Sequence, residues 1–114
     1  MPSSGAIGQP VSVELGNPEV NIGLVPWFIG AMEFVNTTAA VAYVQIFWKA
    51  AADVTLGTTA PDVVIALPAS GGMAMAFDGE GWKTAGPGAW SMAGTTTRTG
   101  STAAAISATI WPRR

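Results

Sequence analysis

Cysteine and histidine are both absent from this sequence of 114 residues. Without cysteine the chain has no disulfide, no thiol nucleophile and no thiolate metal site. Without histidine it also lacks the commonest metal ligand and general base. The remaining acids are scattered along the chain rather than clustered. We therefore predict that the chain is not an enzyme and that it carries no catalytic residues, no metal and no cofactor.

Charge is the second scarcity, because only 11% of the residues are charged and the formal net charge is −2. Soluble domains usually carry about 25% charged residues. The five basic residues form no stripe that would neutralise several phosphates, so nucleic acid is not an expected partner. With 49% hydrophobic residues, some apolar surface is expected on the outside, where another protein would cover it. The composition favours a subunit of an assembly over a free-standing monomer.

Long apolar runs are missing as well. The longest, residues 24–32, is interrupted by Pro26 and Gly30 and falls short of the ~20 residues that span a membrane. The first residues show neither the basic region nor the apolar segment of a secretory signal. We expect a soluble product, made in the cytoplasm, that has no membrane contact.

Short apolar segments between turn residues make up most of the chain. Residues 41–49 gather the densest set of β-branched and aromatic side chains, and they predict a central strand. Alternation places Val44 and Ile46 towards a core, while Gln45 and Lys49 mark the opposite, wetter face together with Tyr43 and Phe47. About eight such strands, separated by Gly, Pro or Asn, predict an all-β fold: a single small β-sandwich of a jelly-roll-like or Ig-like variant.

The N-terminal segment permits two interpretations. Residues 1–10 are rich in Pro, Gly and Ser, and two stretches of alternating apolar residues follow, on either side of a Gly-Asn-Pro turn. These stretches fit either two short strands or one extended arm that crosses a neighbouring subunit. We predict an extended N-terminal arm at residues 1–27 and a β-sandwich domain at residues 28–114.

The five tryptophans are the most informative side chains. Trp82 and Trp90 flank a Gly/Pro-rich loop, where exposed rings would form a stacking platform for a sugar. The polar residues that usually fix a sugar are sparse nearby, so tryptophans in the core or at a subunit interface are favoured. Asp78 and Glu80 lie in the same Gly-rich region, and a solvated turn is favoured there over a cation site.

A family likeness runs through the middle of the chain. Residues 36–50 read Asn-Thr-Thr-Ala-Ala-Val-Ala-Tyr-Val-Gln-Ile-Phe-Trp-Lys-Ala, and Leu-Gly-Thr-Thr-Ala-Pro at 56–61 and Ile-Ala-Leu-Pro at 65–68 follow. This pattern, which covers roughly residues 34–81, resembles a family of small virion structural proteins of tailed bacteriophages. The resemblance implies an all-β fold without enzymatic activity. Trp48 departs from it, because the family more often has a polar residue there, so we expect Trp48 to touch a partner.

The resemblance points to a capsid decoration, or cement, protein on the outer surface of the phage head. Its expected partners are the major capsid protein and itself, as a homotrimer, and its expected location is the virion. The alternatives are a tail-associated or neck-associated β module, or a glycan-binding module that uses Trp82 and Trp90. The residues predicted to form the partner interface are Val11, Val13, Leu15, Trp27, Tyr43, Phe47, Trp48, Trp82 and Trp90.

Overall fold

The structure is a computed structural model that describes residues 9–16, 19–23, 27–77, 81–85 and 88–113. These residues form nine strands and one short 3-10 helix. No helix among them is long and apolar enough to cross a membrane. The strands are β1 (Val11–Leu15), β2 (Val20–Gly23), β3 (Phe28–Asn36), β4 (Ala42–Phe47), β5 (Val63–Leu67), β6 (Gly72–Ala76), β7 (Trp82–Lys83), β8 (Trp90–Thr95) and β9 (Ile106–Arg113); the 3-10 helix is Ala51–Asp53.

The strands form two antiparallel sheets. Sheet A has the order β1-β9-β3-β6, with β7 also paired to β3, and sheet B has the order β2-β8-β4-β5. Strands from the two ends of the chain pair successively, β1 with β9 and β2 with β8, while β3 pairs with β6 and β4 with β5. This is an antiparallel ribbon folded over itself into two sheets, which is the jelly-roll arrangement. The predicted β-sandwich is confirmed, and its strand order is that of the jelly-roll variant.

The core lies between the two sheets and is built from alternate residues of each strand. Phe34 in sheet A and Trp90 in sheet B are the largest side chains that are fully buried there. Val44 and Ile46 of β4 are also fully buried in this cluster, as their alternation predicts. β9 adds Ile106, Ala108 and Ile110 on one face.

The predicted arm is wrong for the part of residues 1–27 that forms strands. β1 pairs with β9 from Val11↔Ile110 to Leu15↔Ile106, and β2 pairs with β8. Leu15 and Ile22 are buried in the core of the same chain. The physical reason is that each apolar stretch adds an edge strand to a sheet of its own chain and buries a side chain in the core, so neither needs a neighbouring subunit to be ordered. Residues 1–8 of the predicted arm lie outside the described residues.

Candidate functional site

Much of the outer face of sheet B, on β4 and β8, is covered by the chain's own loops. Gln45 Nε2 donates to Thr95 Oγ1 at 2.8 Å and to the carbonyl oxygen of Gly100, in the β8–β9 loop, at 3.0 Å. Ser91 Oγ donates to the carbonyl oxygen of Lys49, which follows β4, at 2.9 Å. Gln45, Ser91 and Thr95 are all fully buried. Sheet B therefore presents little of its outer face to a partner.

Phe47 and Gln45 correct the prediction that this face of β4 is the wetter one. Both side chains are fully buried, because the segments that follow β4 and β8 pack over the sheet through the backbone of Lys49 and Gly100. Phe47, which was predicted at the partner interface, thus offers no accessible surface. Tyr43 on the same face is half-buried, and the guanidinium carbon of Arg98 lies 5.7 Å from the centre of its ring.

Four tryptophans and Phe77 meet at one end of the sandwich and form an aromatic cluster. The ring centres of Trp27 and Trp90 are 5.5 Å apart, and those of Trp48 and Trp90 are 5.9 Å apart. Trp48 and Trp82 are separated by 5.4 Å, and Trp82 and Phe77 by 5.5 Å. Tilted and edge-to-face pairs at these separations are favourable arrangements of aromatic rings. The cluster therefore ties together the ends of both sheets.

Trp90 is the buried centre of the aromatic cluster. It is fully buried, whereas Trp27, Trp48 and Trp82 are half-buried. The backbone of β2 passes close beside it, because a Cβ built on Gly23 would lie only 2.5 Å from Trp90 Nε1 and 2.9 Å from Trp27 Cε2. A sugar cannot stack on a ring that has no exposed face. The less favoured alternative, a stacking platform of Trp82 and Trp90, is therefore wrong for Trp90, which lies in the core.

The outer face of sheet A, by contrast, is left open by the described residues. Its cross-strand rows follow from the pairing of β1, β9, β3 and β6, and we call the surface they form the open face: Ser12, Glu14, Ala31, Glu33, Val35, Gly72, Ala74, Ala76, Ser107, Thr109 and Trp111. Most of these side chains are small. Val35 is 43% exposed and Trp111 is half-buried. Among these residues only the two glutamates carry a charge.

One of the two glutamates on the open face is held in place. Ser107 Oγ donates to Glu14, at 2.9 Å from Oε2 and 3.0 Å from Oε1. Beyond the rows of the open face, Phe28 is 39% exposed, and Lys83 Nζ lies 5.8 Å from the centre of its ring. The open face thus combines small, apolar and hydrogen-bonding side chains with few free charges.

The structure brings together four of the nine predicted interface residues, because Trp27, Trp48, Trp82 and Trp90 all belong to the aromatic cluster. Val11, Val13 and Leu15 share a side of β1 with the core, since they pair with Ile110, Ala108 and Ile106. Leu15, Phe47 and Trp90 are buried, so these three predicted interface residues offer a partner almost no surface. Sequence reasoning missed Val35 and Trp111. Their signal is alternation: Val35 follows the buried Phe34, and Trp111 follows the buried Ile110.

No set of three or more potential metal ligands lies together among the described residues. Asp78 and Glu80, for which a solvated turn is favoured over a cation site, lie outside the described residues. No protein-family model matches the sequence, and no curated protein matches it with significant similarity. The likeness to small phage virion proteins therefore stays a prediction.

Proposed function

We propose that this chain is a structural protein of a phage virion: a capsid decoration protein that binds the major capsid protein on the outer surface of the assembled head. The contrast between the two sheets carries this proposal. The loops of the chain bury Gln45, Ser91 and Thr95 on the outer face of sheet B, whereas Val35 in the central strand β3 of sheet A stays exposed. Val35 lies among small and apolar side chains of the open face, and a contiguous exposed surface of this kind with few charges is a candidate site of contact with another protein.

The chemistry of the open face suits contact with a protein. Small side chains such as Ala31, Ala74 and Ser107 let a flat surface approach closely, and Trp111 supplies aromatic area. The centres of protein interfaces are depleted of charge and enriched in aromatic residues. The low charge of the whole chain, 11%, fits the same use.

The proposed mechanism is mass action and requires no reaction. A protein that binds the assembled shell, but not its separate subunits, stabilises the shell by RT ln(1 + [L]/Kd), or about 2.7 kcal/mol per site at a free concentration of 100 Kd. The stabilisation opposes disassembly of the shell under the pressure of the packaged genome. Rigidity favours such a role, since two packed sheets lose little conformational freedom on binding.

Val35→Lys is expected to weaken binding to preformed shells by about tenfold or more, because it places a charge within a buried apolar contact. The measurement is co-sedimentation of the purified chain with empty shells of the major capsid protein from the same phage. Val41→Lys is the matched control, since Val41 is 48% exposed and precedes β4 of sheet B.

Equal binding by both variants and the unsubstituted chain would contradict the open face as the binding surface. Purified tails provide the second arm of the experiment. Binding to tails but not to shells would replace the capsid role with the tail-associated or neck-associated alternative. No binding to either particle would remove the virion proposal.

A further inference from the structure

One edge of β6 carries backbone hydrogen-bonding groups that no strand of the described part of the chain uses. The backbone N–H of Asn36 donates to the carbonyl oxygen of Gly71 at 2.7 Å, and that of Phe77 donates to Gly30 at 2.9 Å. With the register Phe34↔Met73, these bonds show that odd-numbered residues of β6 direct their backbone groups towards β3. Residues 72, 74 and 76 therefore direct theirs away from the sheet, where no strand among the described residues pairs with β6.

β6 is also the least protected of the sheet edges. Edge strands are usually shielded by charged residues, proline or a bulge. β6 has the sequence Gly-Met-Ala-Met-Ala, without any of these, and all of its residues except Met75 are exposed. At the other edges, β1 carries Glu14, β2 has an irregular register against β8, and β5 is mostly half-buried. An uncharged, exposed edge of this kind is a template for another strand.

The sequence of β6 favours a second copy of β6 as the strand that pairs with this edge. It reads small-Met-small-Met-small and is symmetric about Ala74. Two antiparallel copies centred on that residue would set Ala74 against Ala74, Gly72 against Ala76 and Met73 against Met75. Every opposed pair is then chemically matched, and no like charges meet. Symmetric contacts of this kind are the usual basis of two-fold dimers.

We propose that β6 pairs with β6 of a second copy of this chain, antiparallel and centred on Ala74. Because residue 74 directs its backbone outward, the central pair is a hydrogen-bonded one, and the outward groups of residues 72 and 76 bond to each other across the strands. A shift by one residue would oppose outward groups to inward ones and leave them unpaired. The centred register is the one that uses all three.

The pairing covers apolar side chains and joins the open faces. Met73 is 38% exposed, and in this register Met75 of the other copy packs beside it. Methionine adapts well to such contacts. Directly opposed residues point to the same side of a sheet, so the two open faces lie side by side in one continuous sheet. The inference does not depend on the proposed function, but it would make binding to a shell bivalent.

Ala74→Pro tests the pairing by removing an N–H that serves no bond to β3. Proline is tolerated where the N–H of an edge strand faces solvent, so the variant is expected to fold, as judged by circular dichroism. Sedimentation velocity of the full chain over a range of concentrations is the measurement. The unsubstituted chain is expected to form dimers, and Ala74→Pro to stay monomeric.

Charge variants test the register independently. Ala74→Lys is expected to weaken the dimer by about fivefold, because the two lysines are directly opposed. An equal mixture of Ala74→Lys and Ala74→Glu chains is expected to dimerise at least as well as the unsubstituted chain. Ala66→Lys, on the exposed side of edge strand β5, is the control and should leave dimers intact.

The outcomes that overturn the pairing are equally defined. The first is an unsubstituted chain that remains monomeric at its highest soluble concentration. The second is a dimer or homotrimer that the Ala74 substitutions leave unchanged. The third is a mixture of Ala74→Lys and Ala74→Glu chains that stays monomeric. A homotrimer of that kind would favour the oligomer that the phage likeness implies. If the unsubstituted chain forms the dimer but does not bind shells, the result would argue against the proposed function and not against the pairing.

Discussion

Trp90→Ala is expected to lower the free energy of unfolding by about 3–5 kcal/mol, the range for removing a large buried aromatic side chain. Trp90 is fully buried and touches the rings of Trp27 and Trp48, at centre-to-centre distances of 5.5 and 5.9 Å. The variant would leave a cavity between the ends of the two sheets. Urea unfolding followed by far-ultraviolet circular dichroism is the measurement, because it does not depend on tryptophan fluorescence.

Two variants separate the packing of Trp90 from other contributions. Trp90→Phe keeps an aromatic ring and removes the buried Nε1 donor, which has no hydrogen-bond partner among the described residues. It should therefore cost much less than Trp90→Ala. Trp111→Ala removes a half-buried ring from the open face and should also cost less. A Trp90→Ala variant that is as stable as the unsubstituted chain would contradict the burial of this ring. The stacking of a sugar on Trp90 would then again be a candidate role.

Asn36→Ala is expected to lower the free energy of unfolding by about 2–4 kcal/mol, since several buried hydrogen bonds are lost together. Asn36 Nδ2 donates to the carbonyl oxygens of Ala40 and Pro68, at 2.8 and 2.9 Å. Its Oδ1 accepts bonds from the backbone N–H and the hydroxyl of Thr38, at 2.9 and 2.7 Å. The side chain is only 1% exposed, so water cannot replace these partners. Thermal and urea unfolding measure the loss.

Thr37→Ala is the matched control for Asn36→Ala. Thr37 is the next residue and is exposed, and its Oγ1 donates a single bond to the carbonyl oxygen of Ala105 at 3.0 Å. Its removal should cost about 1 kcal/mol or less. If the two variants lost equal stability, the amide of Asn36 would not be the element that holds the β3–β4 turn against the β5–β6 turn.

Alternation along single strands predicted the fold well where one face of a strand meets the core. Val44 and Ile46 are buried for that reason, and the strands around them were expected. The arm was wrong because the sequence of β1 and β2 fits a strand paired within the chain as well as one paired with a neighbour. The choice depends on β9 and β8, which follow far along the sequence. The alternation of residues within β1 and β2 does not reveal which distant strand they pair with.

The closed face of sheet B could not be predicted, because polar composition does not reveal where a loop packs. The Thr-rich segment after β8 looks solvated, yet its carbonyl groups accept bonds from Gln45 and Thr95. Once these loops have covered Phe47, the open face of sheet A remains. The Asn-Thr-Thr turn that carries the phage likeness contributes to folding through Asn36, so its presence alone says little about a partner.

Thiol labelling of the bound chain tests the open face most directly. The chain has no cysteine, so Ser12→Cys on the open face and Thr58→Cys in the β4–β5 loop each introduce a unique thiol at an exposed site. Binding to shells should slow the reaction of the Ser12→Cys thiol with a soluble maleimide and leave that of Thr58→Cys unchanged. Protection of Thr58→Cys in bound particles, with Ser12→Cys still freely reactive, would contradict the assignment of the open face as the binding surface.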